Sequence, residues 1–298
     1  MTSSRPPRAR PLRSGRDPHR PSKRLGQHFL AASWAERIVQ AVNPQPGDVF
    51  LEIGPGTGAL TLPLAATGVP VLAVEIDRSL VADLVQRVAP NVTVVTGDIL
   101  STDVLAYLSG LEPQRPPGRV DAPAPPRRFR VIGNLPYYIA SPILFRLIDF
   151  RRSGHAFADA TVMLQREVAD RLLAKPGSKT YGVLTVMMTM HATIRRVLDL
   201  PPGAFSPKPR VSSSVVSLTF GPPAARVGDE ALFERMVKAM FGQRRKTLNN
   251  ALKGFDPSAA AILVEAGIEG RRRPETLQLL EIARLAELFA AARRAAVL

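Results

Sequence analysis

The chain has 298 residues and a net charge of +15, with a pI near 11.1, and this excess favours a polyanionic partner. It contains no cysteine, which excludes disulfides, thiol nucleophiles and thiolate metal sites, and its four histidines (His19, His28, His155, His191) show no ligand spacing, so no metal is expected. No apolar run reaches the roughly 18 residues of a membrane span, and no apolar stretch follows the basic N-terminus as in a secretory signal, so a cytoplasmic chain is expected.

Residues 1–24 carry eight Lys and Arg against a single acid, Asp17, among prolines and serines. Such a segment cannot bury enough apolar surface to order itself and reads as a disordered basic arm. From Leu25 the pattern alternates. A helix is expected over Ser33–Val42, with Ser33 as its cap, then a strand over Val49–Ile53 that runs into a glycine-rich turn. A helix at Ala59–Ala66, a strand at Val69–Ile76, a helix at Ser79–Val88 and a strand at Val92–Thr96 follow. Glu112–Arg128 is rich in proline and reads as an irregular loop. Beyond it come a strand at Phe129–Ile132, a helix at Pro142–Phe150, a strand at Ala160–Leu164 and a helix at Glu167–Ala174. Val183–His191 is apolar and fits either type. After Gly221-Pro222-Pro223 only helical patterns remain, near Asp229–Phe241, Arg244–Leu252, Ser258–Ala266 and Thr276–Arg294. The expected fold is α/β: a parallel, doubly wound, Rossmann-like sheet over residues 25–222, followed by a small all-helical domain over 223–298.

Two runs carry chemistry. In Glu52-Ile53-Gly54-Pro55-Gly56-Thr57-Gly58, three glycines lie between a strand and a helix, where backbone must pass close to a ligand. The spacing is G-x-G-x-G, which is not that of a dinucleotide site, and no G-K-[ST] of a phosphate loop is present. The next strand ends at Glu75, placed to accept from ribose hydroxyls, and the one after it at Gly97-Asp98, whose carboxylate can accept from an adenine amine.

The second run, Asn134-Leu135-Pro136-Tyr137, follows the fourth strand at the sheet edge where such folds bind ligands. The lone pair of an adenine amine is delocalised into the ring, so the nitrogen is a poor nucleophile. Two acceptors on its N–H bonds, the Asn134 side-chain oxygen and the Leu135 carbonyl, favour a tetrahedral nitrogen. Pro136 fixes the loop and Tyr137 offers a face on which an extruded base stacks. Phe205, in the proline-bracketed run Phe205–Val211, is a candidate for the other side of the base. The zinc deaminases, which also act at such an amine, need cysteine ligands this chain lacks. The order of the two runs points to methyl transfer onto a base amine.

Together with Leu25–Leu30, Gln165–Val168 and Phe241–Thr247, these runs resemble the ribosomal RNA small-subunit adenine dimethyltransferases, the kasugamycin-sensitivity family, from about Lys23 onward. The resemblance implies S-adenosylmethionine as donor and N6,N6-dimethylation of two adjacent adenines near the 3′ end of small-subunit (16S) rRNA, in ribosome biogenesis. It implies the small ribosomal subunit or its precursor as partner, and a monomer. Its cofactor contacts fall on His28, Leu30, Gly54, Glu75, Asp98 and Asn134, beside Gly56 and Gly58 of the turn. Arg244, Arg245 and Lys246, expected to open a helix, are candidate phosphate contacts. His28 and Tyr138 stand where asparagine is common in the family, and Ser212 where aspartate is frequent. A large-subunit rRNA methyltransferase, a DNA adenine methyltransferase and a non-catalytic assembly factor would share many of these residues.

Overall fold

The computed structural model describes residues 28–111, 127–153 and 157–295. The basic arm and most of the proline-rich loop lie outside the described residues. A seven-stranded sheet organises the chain. Its strands are β2 (Asp48–Ile53), β3 (Val71–Glu75), β4 (Val92–Thr96), β5 (Arg128–Asn134), β6 (Asp159–Gln165), β7 (Ala192–Leu200) and β9 (Ser213–Phe220), in the order β4-β3-β2-β5-β6-β9-β7. The first five are parallel, and β9 and β7 run antiparallel to their neighbours. The sheet is therefore mixed, where an all-parallel one was expected. The two extra strands were missed because β7 carries Arg195, Arg196 and Asp199, and β9 opens on serines, so neither reads as an apolar run. A short ribbon, β1 (Phe29–Leu30) against β8 (Phe205–Ser206), lies apart from the sheet.

Helices cover both faces. On one lie α1 (Ala32–Val42) and α2 (Thr61–Ala65), packed with Phe50, Val71 and Ile132. On the other, Val49, Leu51, Ile53, Leu72 and Val131 meet α5 (Ala140–Arg152) and α7 (Val183–His191). Alternate residues of β2 thus enter opposite cores, as a strand with both faces covered requires. Between them are α3 (Arg78–Val85), α4 (Val104–Ser109) and α6 (Arg166–Leu172). The six-residue α4, capped by Asp103 onto the Ala106 N–H, was not anticipated.

Local chemistry moved several boundaries. Ser33 is not the cap of α1: Ala31 holds that position, its methyl side chain offering no acceptor, and its N–H donates to the Ala204 carbonyl at 2.9 Å. Pro63 confines α2 to five residues, since proline is tolerated only in a first turn. Asp77 caps α3 by accepting from the Ser79 N–H at 2.9 Å.

The C-terminal region comprises α8 (Glu230–Gly242), α9 (Leu248–Leu252), α10 (Ala259–Glu265) and α11 (Leu279–Ala295). Phe233, Met236, Met240 and Phe289 belong to the same core as α7 and the sheet, so burial runs unbroken from sheet to helices. Arg244, Arg245 and Lys246 precede α9 in a turn instead of opening a helix. Among the described residues no helix is long and apolar enough to cross a membrane.

Candidate active site

Four adjacent strands, β4-β3-β2-β5, end side by side, and one cleft spans their carboxyl edge. The glycine turn after β2 is left-handed at all three glycines, with φ of +66° at Gly54, +57° at Gly56 and +85° at Gly58. A Cβ at Gly58 would lie 2.6 Å from Leu84 Cδ1, so this glycine lets the turn pack on α3. A Cβ at Gly54 would meet nothing within 4 Å. Here the missing side chain opens space beside the cleft.

Glu75, at the end of β3, closes the turn from the next strand. Its Oε2 accepts from the Gly56 N–H and its Oε1 from the Asp77 N–H, both at 3.0 Å. Burial raises its pKa, and the backbone donors oppose that rise. Each oxygen keeps a lone pair for a further donor. Asp98 follows β4 and lines the same cleft; its Oδ1 accepts from the Leu100 N–H at 2.9 Å.

Beneath the turn lies a residue not singled out from the sequence. Glu52 is 1% exposed, its Oε2 has no hydrogen-bond partner among the described residues, and it lines the cleft. Burial pushes its carboxyl up to about 8; the neighbouring Thr61 hydroxyl offsets part of that shift and the charge of Glu75 adds to it. Thr61 Oγ1 also lacks a formed bond. An acid inside the apolar run Val49–Ile53 was the available signal.

Asn134 ends β5. Its Nδ2 donates to the His28 carbonyl at 3.0 Å, which sets the amide's orientation and leaves Oδ1 as the accepting end. Leu135 is buried, and its N–H donates to the Met163 carbonyl at 3.2 Å, pinning the loop to β6. Pro136 and Tyr137 line the cleft beside it. The Tyr137 hydroxyl lies 2.8 Å from Ser213 Oγ, and burial raises its pKa, with the Ser213 bond opposing, so the phenol stays neutral.

One face of Tyr137 is covered by His28, whose ring centroid stands 5.6 Å away at 28°. His28 Nδ1 lies 2.8 Å from the Pro207 carbonyl, which can only accept, so Nδ1 carries a proton. The second ring beside Tyr137 is thus His28 and not Phe205. Phe205 is 3% exposed and packs with Leu30, Leu200 and Val215, because β8 pairs with β1 in a register that turns it to the core. The structure therefore gathers His28, Leu30, Gly54, Gly56, Glu75, Asp98 and Asn134–Tyr137 in one cleft. It leaves Phe205 out, and Gly58 acts through packing. Arg244, Arg245 and Lys246 do not line the cleft.

Known proteins resemble this chain along nearly its whole length. Residues 19–291 match the model of the ribosomal RNA adenine dimethylase family. A ribosomal RNA small subunit methyltransferase A from Syntrophotalea carbinolica is 43% identical over 91% of this chain and 97% of its own length. One from Xanthomonas campestris is 41% identical over 89% and 95%. Among solved structures, a dimethyladenosine transferase from Plasmodium falciparum superposes with a TM-score of 0.68 at 23% identity, covering 89% of this chain and 98% of that one. The 23S rRNA methyltransferase ErmE superposes with 0.59 at 26%, covering 88% and 99%. With its sequence matched nearly end to end, this chain belongs to the ribosomal RNA adenine dimethylase family, and it is an rRNA methyltransferase.

Proposed function

We propose that this chain transfers methyl groups from S-adenosylmethionine to N6 of two adjacent adenines near the 3′ end of 16S rRNA during ribosome biogenesis. It acts as a cytoplasmic monomer on the small ribosomal subunit or its precursor. Residues 25–222 carry the transfer, and the helical residues 223–298 meet RNA. The observation that carries the reading is the fixed Asn134 amide, with Oδ1 left to accept, one strand away from the glycine turn.

The residues present fit the donor. The space at Gly54 admits a ligand against bare backbone, and Glu52 offers an unpartnered buried oxygen. When bound, the donor supplies a methyl carbon made electrophilic by its sulfonium. Glu75 would accept from ribose hydroxyls and Asp98 from the adenine amine, with His28 and Leu30 as a wall. The target amine needs help as positive charge grows on its nitrogen. Asn134 Oδ1 and the Leu135 carbonyl meet that charge with fixed dipoles that need no reorganisation. The open face of Tyr137 stacks the base, while its other face rests on His28.

Two variants separate binding from chemistry. Glu75→Ala should weaken S-adenosylmethionine by about 1–3 kcal/mol, as for a charge-assisted bond left unmade. Asn134→Ala should lower single-turnover methylation on the order of 100-fold with a smaller loss of cofactor affinity. Calorimetry and quenched-flow assays on unmethylated small subunits read both. Near-normal turnover of the folded Asn134→Ala protein would remove the proposed acceptor. Mapping dimethyladenine in rRNA from cells with and without the gene fixes the target positions.

A further inference from the structure

The mouth of the cleft carries features that the reaction itself does not use. Tyr138 follows the anchored Tyr137 and lines the cleft, yet it is 57% exposed. The turn between β8 and β9, joined to the cleft wall through His28, presents Lys208 and Arg210, both exposed, on either side of buried Pro209. Two contacts tie this turn to the pocket: the Pro207 carbonyl accepts from His28 Nδ1, and the His28 ring stacks on Tyr137. Ser213, a little further on, meets the Tyr137 hydroxyl.

Several of the protein's cations are already held by acids. Arg130, Arg152, Arg196, Arg272 and Arg293 all pair with carboxylates. Lys208 and Arg210 form no ion pair or side-chain hydrogen bond among the described residues, and no acid occurs from Ser206 to Phe220. Pro207 and Pro209 restrict the backbone that carries the two cations.

We propose that this rim is a landing site for the single-stranded RNA flanking the target adenine, with Tyr138 stacking the adjacent base and Lys208 and Arg210 holding its phosphates. The inference rests on the reading that the cleft receives an rRNA adenine. When one of two neighbouring adenines leaves its stack, the other loses a partner, and an exposed aromatic ring at the mouth restores one. Stacking tolerates any base in the flanking position, so one rim serves both methylations. The phosphate contacts fix the strand's register and carry no sequence information.

The test uses the full chain with unmethylated small subunits and with a short adenine-containing single-stranded RNA. Tyr138→Ala should raise the KM for RNA roughly ten-fold, and Tyr138→Phe, which keeps the ring, should stay near wild type. The S-adenosylmethionine Kd should be unchanged in both. The double variant Lys208→Ala/Arg210→Ala should flatten the slope of log K against log salt by about 1.4, at roughly 0.7 per phosphate on a single strand. Unchanged RNA kinetics and salt slope in folded variants would overturn the landing site while wild type still methylates RNA. Loss of cofactor affinity in Tyr138→Ala would overturn it too, by assigning the ring to the donor. Failure of the wild-type protein to methylate either RNA would instead sink the reading on which the inference rests.

Discussion

Two acids four residues apart on β2 lie on one face of the same strand and are almost equally buried, Asp48 at 2% and Glu52 at 1% exposure. Their surroundings differ in kind. Asp48, at the amino end, accepts from Arg130 at 2.8 Å, Arg128 at 3.1 Å and the Gln45 N–H at 2.9 Å. Glu52, at the carboxyl end, has an orphaned oxygen and a pKa near 8. The sheet satisfies its buried charge at the end that holds the fold together. It leaves buried polarity unspent at the end that faces a ligand, where one strand edge collects the cleft.

Breaking the satisfied end should have the largest effect. Arg130 bridges Asp48 and Asp159, donates to the Val42 carbonyl at 3.0 Å and lies over the Phe50 ring. Burial alone would lower its pKa, and the bonds to Asp159 and Asp48 outweigh that and raise it. Arg130→Ala takes the cation from Asp159 and leaves buried Asp48 with only the half-exposed Arg128 and the Gln45 N–H, and should cost about 3 kcal/mol in urea unfolding. Methylation per folded molecule should hold, since the network lies at the edge of the sheet opposite the cleft. A loss under 1 kcal/mol would mean that the network adds little to stability.

The unsatisfied end makes an opposite kind of prediction. A carboxyl whose folded pKa is raised contributes stability fully below its unfolded pKa, near 4.5, and loses it as pH rises through about 8. Within that window Glu52 should destabilise the fold by up to about 1.4 kcal/mol for each unit of pH. Glu52→Gln keeps the shape and removes the titration. Wild type minus variant stability, measured by urea unfolding at pH 6 and pH 8, should fall as pH rises. Parallel curves would show that Glu52 is charged throughout, held by contacts other than those described.

The same contrast sets how much the sequence disclosed. The parallel strands β2, β3, β5 and β6 were legible because burial on both faces makes apolar runs of them, and the edge strand β4 through its valines; the glycine turn, Glu75, Asp98 and Asn134 stand at their ends. Asn134 was recognised by its neighbours Leu135-Pro136-Tyr137, not by its orientation, which depends on a carbonyl 106 residues away in sequence. His28 as the partner ring of Tyr137, and Phe205 as core, follow from the β1–β8 register, and two-residue strands leave no period to read. The strands β7 and β9 were hidden for a related reason. Ser213, Ser214 and Ser217 are buried in β9, where a polar residue normally signals an exposed position. Ser213 spends its hydroxyl on Tyr137 and Ser214 donates to Asp199 at 2.5 Å, contacts that no local pattern announces.

The smallest effect divides one basic run in the same way. Arg244, Arg245 and Lys246 are all exposed, but Arg244 donates to the carbonyls of Lys179 at 2.6 Å and Tyr181 at 2.7 Å. It ties the turn between α8 and α9 to the loop before α7, and its charge serves the fold. Arg245 and Lys246 form no such bond among the described residues, which leaves these two as the proposed phosphate contacts. Arg244→Ala should therefore lower the melting temperature by a few degrees, for a loss of about 1 kcal/mol, and change the salt slope of RNA binding little. Arg245→Ala/Lys246→Ala should leave melting unchanged and flatten that slope by about two units on duplex RNA, one per phosphate released. If all three residues moved the salt slope equally and none moved the melting point, Arg244 would be a phosphate contact like its neighbours, and the division of this run between fold and ligand would fail.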